Sequence, residues 1–259
     1  MSDPASLTHA ETSGPVPAQL PMFYRRVMGV NPNQHAELRL DRGVGFAFSA
    51  QAQAVPLGLG EFDAAAQHFP IVFTTGPNPT PMALLGLRQG QNLFVQADGS
   101  WRANCYIPAY IRAFPFIFVE DAAAKTTYVG MEPDAACLGQ NVGMKLFEDG
   151  KPSATLKEAI GFCSTYRDNL SAAGVFARAI DEAGLLAEEE ANINFTAGGN
   201  TRIRGFKLLP PDRLEKLSDE TFLEWRHKGW LGPIYAHLHS AGRWGRLIEF
   251  GAPEQNQAA

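Results

Sequence analysis

The spacing of apolar residues changes character near residue 150. Before it, apolar positions come in short β-branched and aromatic runs separated by Gly and Pro. Ile71–Thr74 is such a run and predicts a strand. Phe46–Ser49, Ala54–Leu57, Met82–Leu87, Leu93–Gln96, Phe114–Glu120 and Thr126–Val129 read the same way. Arg88-Gln89-Gly90-Gln91 is expected to turn a hairpin between two of them. Two short helices interrupt the series. Leu59–Phe69 places Phe62, Ala65, Ala66 and Phe69 at helical spacing and stops at Pro70. Ile107–Ala113 tolerates Pro108 in its first turn. The loops are too short for crossover helices, so the strands are expected to be antiparallel.

After residue 150 the period becomes 3.6. Leu156, Ile160, Cys163, Tyr166, Leu170, Phe176, Ile180 and Ala183 fall on one helical stripe, which predicts one long helix, or two with a bend at Gly174. Unbroken from Ser153 to Ala183 it would run roughly 45 Å, at about 1.5 Å per residue. Gly184 is a C-terminal stop. Asn192–Thr196 and Arg202–Leu209 flank Gly198-Gly199-Asn200 as a hairpin. Leu214–Leu217 reads as one helical turn. Ser218 caps a helix that Gly229 ends, and a last helix covers Leu231–Phe250. Strands first and helices second predict an α+β fold: a mainly antiparallel sheet from the N-terminal half, with the helices of the C-terminal half packed on it. Residues 1–21 and 251–259 read as tails, leaving 22–250 as one domain.

Composition narrows the function classes. The 259 residues carry a net charge of -5, with 45% hydrophobic and 19% charged residues, which are globular values. A nucleic-acid binder needs a basic stripe, so nucleic acid is not an expected partner. No run reaches the roughly 18 apolar residues of a membrane span. The start of the chain has neither the basic nor the apolar region of a signal peptide, so a cytoplasmic location is expected. Cys105, Cys137 and Cys163 lack CxxC spacing and read as buried, inert thiols.

Candidate chemistry centres on Asn92–Phe118, where Phe94, Trp101, Tyr106, Tyr110, Phe114, Phe116 and Phe118 crowd into 27 residues. Such a cluster is a core or a pocket wall. As a wall, Trp101, Tyr106 and Tyr110 would present apolar area while Arg102 and Arg112 supply polar contacts; Tyr235 on the last helix is added to this ligand-binding set. Trp225, Trp230 and Trp244, flanked by Arg226, Arg243 and Arg246, fit helix packing and a recognition surface equally. His237 and His239 form an HxH pair. On a helix, residues two apart diverge by about 200° and share an ion only with outside ligands; His68, with Glu61 as carboxylate, is the further set considered. Cys105 has Arg102 three residues away, which would lower a thiol pKa. There is no GxSxG, GxGxxG or Walker pattern, and no cofactor is expected.

Several segments together resemble the SapC family of bacterial proteins. They are VPLGLGEF at 55–62, FPIVFTTG at 69–76, ALLGLRQGQNLFVQADGSW at 83–101, YIPAYIRAFPF at 106–116, KLFEDGKPS at 145–153 and IYAHLHSAGRW at 234–244. The departures are the extended N-terminal tail and the AHLHSAGRW ending. The family name comes from a gene linked to a bacterial surface layer, and the resemblance transfers no catalytic residue. Members are often encoded beside TonB-dependent receptors, flavin-dependent halogenase-like proteins and cupin-type hydroxylases. That neighbourhood implies nutrient uptake, or modification of a peptide or small molecule, with those products as partners. The leading expectation is a non-enzymatic accessory protein binding a small molecule or peptide. The second is an oxygenase of the non-haem iron type using His68, His237, His239 and Glu61. The third is a surface-layer component, against which the missing signal peptide and modest Ser and Thr content count.

Overall fold

A computed structural model of the chain describes residues 20–121, 126–195 and 199–252. The predicted tails lie outside these residues except at 20–21 and 251–252. The described elements mix helices with antiparallel sheets, as the α+β pattern predicts. Contacts divide the chain into two compact units, one formed by residues up to Arg42 with Phe114–Ile160, the other by Gly43–Ala113 with Gly161–Ala259.

The second unit holds the largest sheet. Its order is Ala187–Asn194, Asn200–Leu208, Ile71–Thr74, Pro81–Leu84, Ala54–Pro56, with every neighbour antiparallel. Two of the five strands therefore come from the C-terminal half. The predicted 192–209 hairpin is the pair Ala187–Asn194 and Asn200–Leu208, longer on its first side than the apolar pattern implies. Its first strand is mostly exposed and rich in Glu, so hydrophobicity could not reveal it. Ile71, Val72 and Phe73 are all buried, which marks a central strand covered on both faces.

The sheet is tied to the helix Leu231–Ser240 by polar links. The amide of Ile71 donates to Ser240 Oγ at 3.0 Å, and that hydroxyl donates to the carbonyl of His237 at 2.6 Å. The amide of Leu209 donates to His237 Nε2 at 3.0 Å. The Ile71 and Leu209 links satisfy backbone donors, and the Ser240 link a backbone acceptor, that burial would otherwise strand.

The long helix is continuous from Ala154 to Glu182 and ends at Gly184, whose φ of +72° suits a glycine. Ser218 caps Asp219–His227 through the amide of Thr221, as its sequence signal predicts. The expected single last helix is two, Leu231–Ser240 and Arg243–Gly251. Amides of Ala241 and Gly242 close short bonds to Leu238 and His239. The turn sets Trp244 against Phe206 at 5.9 Å and Arg243 Nε against the carbonyl of Ala66 at 3.2 Å.

Two predicted strands are absent. Ala47–Ser49 is a 3₁₀ turn, held by Ser49 Oγ and the Ser49 amide, both donating to the carbonyl of Phe46. A Cβ on Gly45 would lie 2.5 Å from the carbonyl oxygen of Gly99, so this turn requires glycine to approach the Asp98-Gly99 loop. Leu93–Gln96 forms only an isolated bridge, Val95 to Trp101. Asn92 explains why: its amide group donates to Ser49 O and its Oδ1 accepts from the Phe94 amide, bending the segment away from a ladder.

In the first unit, Phe116–Asp121 and Thr126–Met131 pair antiparallel, and Met28–Gly29 joins the latter's outer edge. Arg39–Leu40 lies between Leu138–Gly139 and Met144–Lys145, while Phe147–Glu148 and Lys151–Pro152 form a small hairpin. The buried carboxylate of Glu132 accepts from the amides of Arg25, Arg26 and Asp134. A buried charge is tolerated when its lone pairs are filled in this way.

Candidate functional site

The sequence VPLGLGEF folds as a strand end followed by the 3₁₀ turn Leu59–Glu61 and the short helix Phe62–Ala66. Its glycines permit close approach to the long helix. A Cβ on Gly58 would sit 2.8 Å from Asn169 Cβ, and one on Gly60 would sit 2.7 Å from Asn169 Oδ1. The Gly60 amide donates to that same Oδ1 at 3.1 Å.

This turn delivers Glu61 to a buried position. Glu61 Oε2 accepts from the Gly58 amide at 2.8 Å, completing the turn's own cap. Glu61 Oε1 accepts from the Ala109 amide at 2.7 Å and from Tyr106 Oη at 3.0 Å. The helix Ala109–Ala113 starts at that amide, two residues later than the sequence suggested, because Glu61 caps it from a distant loop.

Tyr106 donates to Glu61 and accepts from Arg112 Nη2 at 3.0 Å. Burial, then the Glu61 charge, push the Tyr106 phenol up to about 12, so it stays protonated. Arg112 is exposed, yet its plane is fixed. Nε donates to the carbonyl of Ile107 at 2.9 Å, and the guanidinium lies 5.4 Å from the Tyr106 ring centre and 4.9 Å from that of Phe162. Tyr110 meets Tyr166 edge-on at 6.3 Å. Burial, reinforced by Glu61 and Tyr110, pushes the Tyr166 phenol up as well.

Leu59, Gly60 and Phe62 also line an open cleft of about 360 Å³, closed on its other sides by Asn169, Ala172 and Pro233 among others. The volume lies at the low end for small-molecule sites, roughly 300–1,000 Å³.

The six predicted ligand-binding residues divide among three places. Tyr106, Tyr110 and Arg112 belong to the Glu61 cluster. Trp101 is buried and adjoins it through its ring N–H, which donates to the carbonyl of Tyr106 at 3.0 Å. Its indole stacks on Phe94 at 5.7 Å and meets Phe46 edge-on at 5.8 Å. Arg102 turns elsewhere, onto Phe250 at 3.9 Å from the ring centre. Tyr235 is exposed on the penultimate helix. Glu61 as an anchor, and Asn169 as its neighbour, were missed as ligand-site residues; the only sequence signal was the glycine spacing around Glu61.

The metal set His68, His237, His239 and Glu61 does not assemble. Among the described residues no three His, Cys, Asp or Glu side chains gather as metal ligands. Helical spacing is the reason: His237 is buried while His239 is exposed. His237 is held by Leu209 through Nε2, and burial pulls it down to about 4. Glu61 already accepts three hydrogen bonds. Cys163 is buried as expected while Cys137 is half-buried, and burial pushes their thiols up to about 12 and about 11. The cation beside Cys105 is Arg246, whose Nη2 lies 3.4 Å from Sγ, rather than Arg102. Trp225 and Trp230 are core, meeting each other at 5.9 Å, with Trp230 5.8 Å from Phe176; Trp244 is half-buried.

Among the described residues no helix is long and apolar enough to cross a membrane. No curated protein and no solved structure matches the chain. A family model does match, over residues 30–247, and that span includes every element of the Glu61 cluster. The chain belongs to the SapC family.

Proposed function

We propose that this chain is a non-enzymatic binding protein for a small molecule or short peptide, accessory to a bacterial uptake or modification system. The observation that carries this reading is Arg112: an exposed guanidinium fixed between two aromatic faces, with no carboxylate in ion-pair contact among the described residues. A pre-oriented arginine costs little further side-chain entropy when a ligand arrives. Tyr106 and Tyr110 flank it with large, stiff, amphipathic area. The Leu59–Phe62 turn contributes Glu61 to this cluster and Leu59, Gly60 and Phe62 to the cleft.

Arginine offers planar, paired donors, so a carboxylate-bearing ligand suits the site best. Thermal-shift screening of the whole chain against amino acids, short peptides and aromatic acids tests this. A hit is expected to raise Tm, and Arg112→Gln is expected to weaken binding by about tenfold, or about 1.4 kcal/mol. A panel in which no compound shifts Tm, or hits that bind Arg112→Gln unchanged, would sink the proposal.

A further inference from the structure

We infer that Arg102, Arg243 and Arg246 form a second binding site, for a small tetrahedral dianion of the phosphate or sulfate type. Arg243, Arg246 and Phe250 recur at three- and four-residue spacing on the helix Arg243–Gly251, which places them on one face. Arg102 reaches the same ring from the loop after Trp101: its guanidinium carbon lies 3.9 Å from the Phe250 centre, and that of Arg246 lies 5.3 Å from it. All three arginines are half-buried. None takes part in an ion pair among the described residues. Three half-withdrawn cations without a counter-charge, in a chain of net charge -5, leave a local positive field.

Their remaining partners orient rather than neutralise them. Arg243 Nε donates to the carbonyl of Ala66 at 3.2 Å, and Arg102 Nε reaches the carbonyl of Leu93 at 3.5 Å. Arg246 Nη2 meets Cys105 Sγ at 3.4 Å. Each guanidinium thus keeps further N–H donors, in the forked geometry that suits oxyanions. A dianion matches this triple charge better than a single carboxylate does.

His68 lies close enough to Arg246 and Arg243 to feel their charge. Burial lowers its pKa first, then the charges of Arg246 and Arg243 lower it further. Its Nδ1 is shielded from solvent and has no hydrogen-bond partner. On its own segment Glu61 is occupied by three donors and Asp63 is exposed; the helix packed on that segment adds buried His237 and exposed His239. An anion among the arginines cancels their effect on His68 and raises its pKa. Binding then takes up a proton, so affinity grows as pH falls toward and below the ordinary histidine range.

Calorimetric titration of the full chain with sulfate tests the inference, because sulfate, unlike phosphate, stays a dianion through and below the ordinary histidine range, so any pH dependence comes from the protein. Ionic strength is held with chloride. Saturable binding is expected, with a Kd of about 1 mM or tighter. Arg243→Gln is expected to weaken it several-fold and the Arg243→Gln/Arg246→Gln pair by at least about tenfold, with inorganic phosphate following the same order. Arg112→Gln is expected to leave it unchanged, which separates this site from the one proposed above. Circular dichroism melting confirms that each variant folds, and the single Arg243→Gln suffices if the pair does not. His68→Gln should remove the pH dependence. Absence of saturable binding to the wild-type chain, or binding indifferent to Arg243→Gln, overturns the site; pH dependence that survives His68→Gln overturns the part given to His68.

Discussion

Two arginine–aromatic clusters in the same unit are handled in opposite ways. Around Arg112 the positive charge sits within a chain of hydrogen bonds that ends on the buried carboxylate of Glu61. Around Phe250, Arg102 and Arg246 share one ring face-on, with a thiol and a backbone carbonyl as polar partners. The first cluster is built into the architecture: Glu61 holds together a turn, a helix start and a tyrosine that are far apart in sequence. The second contributes charge without closing it. Deleting the buried Glu61 charge from the first should therefore damage the fold, while deleting an arginine from the second should mainly change what the surface attracts.

The strongest way to break this contrast is Glu61→Ala. It strands the Gly58 and Ala109 amides and the Tyr106 hydroxyl at once, and is expected to cost about 3–5 kcal/mol. Glu61→Gln keeps one acceptor oxygen and should cost less, about 1–3 kcal/mol. Urea denaturation measures both. A cost for Glu61→Ala below about 1 kcal/mol would show that the cluster is not structural.

The next effect separates the buried His237 from the half-buried His68 by pH. His237 sits in the core with its pKa held at about 4, whereas the unfolded chain restores the ordinary 6.5. Above 6.5 neither state is protonated at this site, and its neutral ring costs nothing. As pH falls from 6.5 toward 4 the unfolded state takes up the proton first, so stability drops, by on the order of 3 kcal/mol over that window. His237→Gln, which keeps an acceptor for the Leu209 amide, should flatten that slope. His68 is more exposed, and its substitution should change the slope far less. Chemical denaturation at stepped pH, with both variants in parallel, decides between them.

The smallest effect is the most diagnostic for the second cluster. Arg246→Gln removes one of three like charges, and relief of repulsion offsets the lost stacking on Phe250. Its stability change is expected to stay within about 1 kcal/mol and to shrink further in salt. A larger loss would mean that Arg246 is as structural as Glu61, and the contrast would fail.

Much of the fold was legible because local rules govern it. The long helix, the stops at Gly184 and Gly229, the Ser218 cap and the strand Ile71–Thr74 follow from periodicity, left-handed glycine and capping. Elements decided by distant partners were not. Phe46–Ser49 has a strand's composition, but Phe46 packs on Trp101 and its carbonyl caps a 3₁₀ turn. Ala187–Glu189 has too little apolar content to read as strand, and pairing with Phe206–Leu208 makes it one. Of the candidate ligand set, Tyr106 and Arg112 were reachable because both lie in one aromatic segment. Their link to Glu61, 45 residues from Tyr106, was not.

The sequence by itself determined the α+β class, the family and the position of the aromatic segment, because hydrophobic period, turn residues and recurring segments are written in local order. Only the tertiary structure decided which charges have partners. Glu61, considered only as the carboxylate of an alternative metal set, is the acceptor for three donors, and Arg102, placed beside Tyr106, instead joins Arg246 at Phe250. Pairing of charge depends on distance and burial in space, and the chain meets those conditions through residues between 45 and about 150 positions apart.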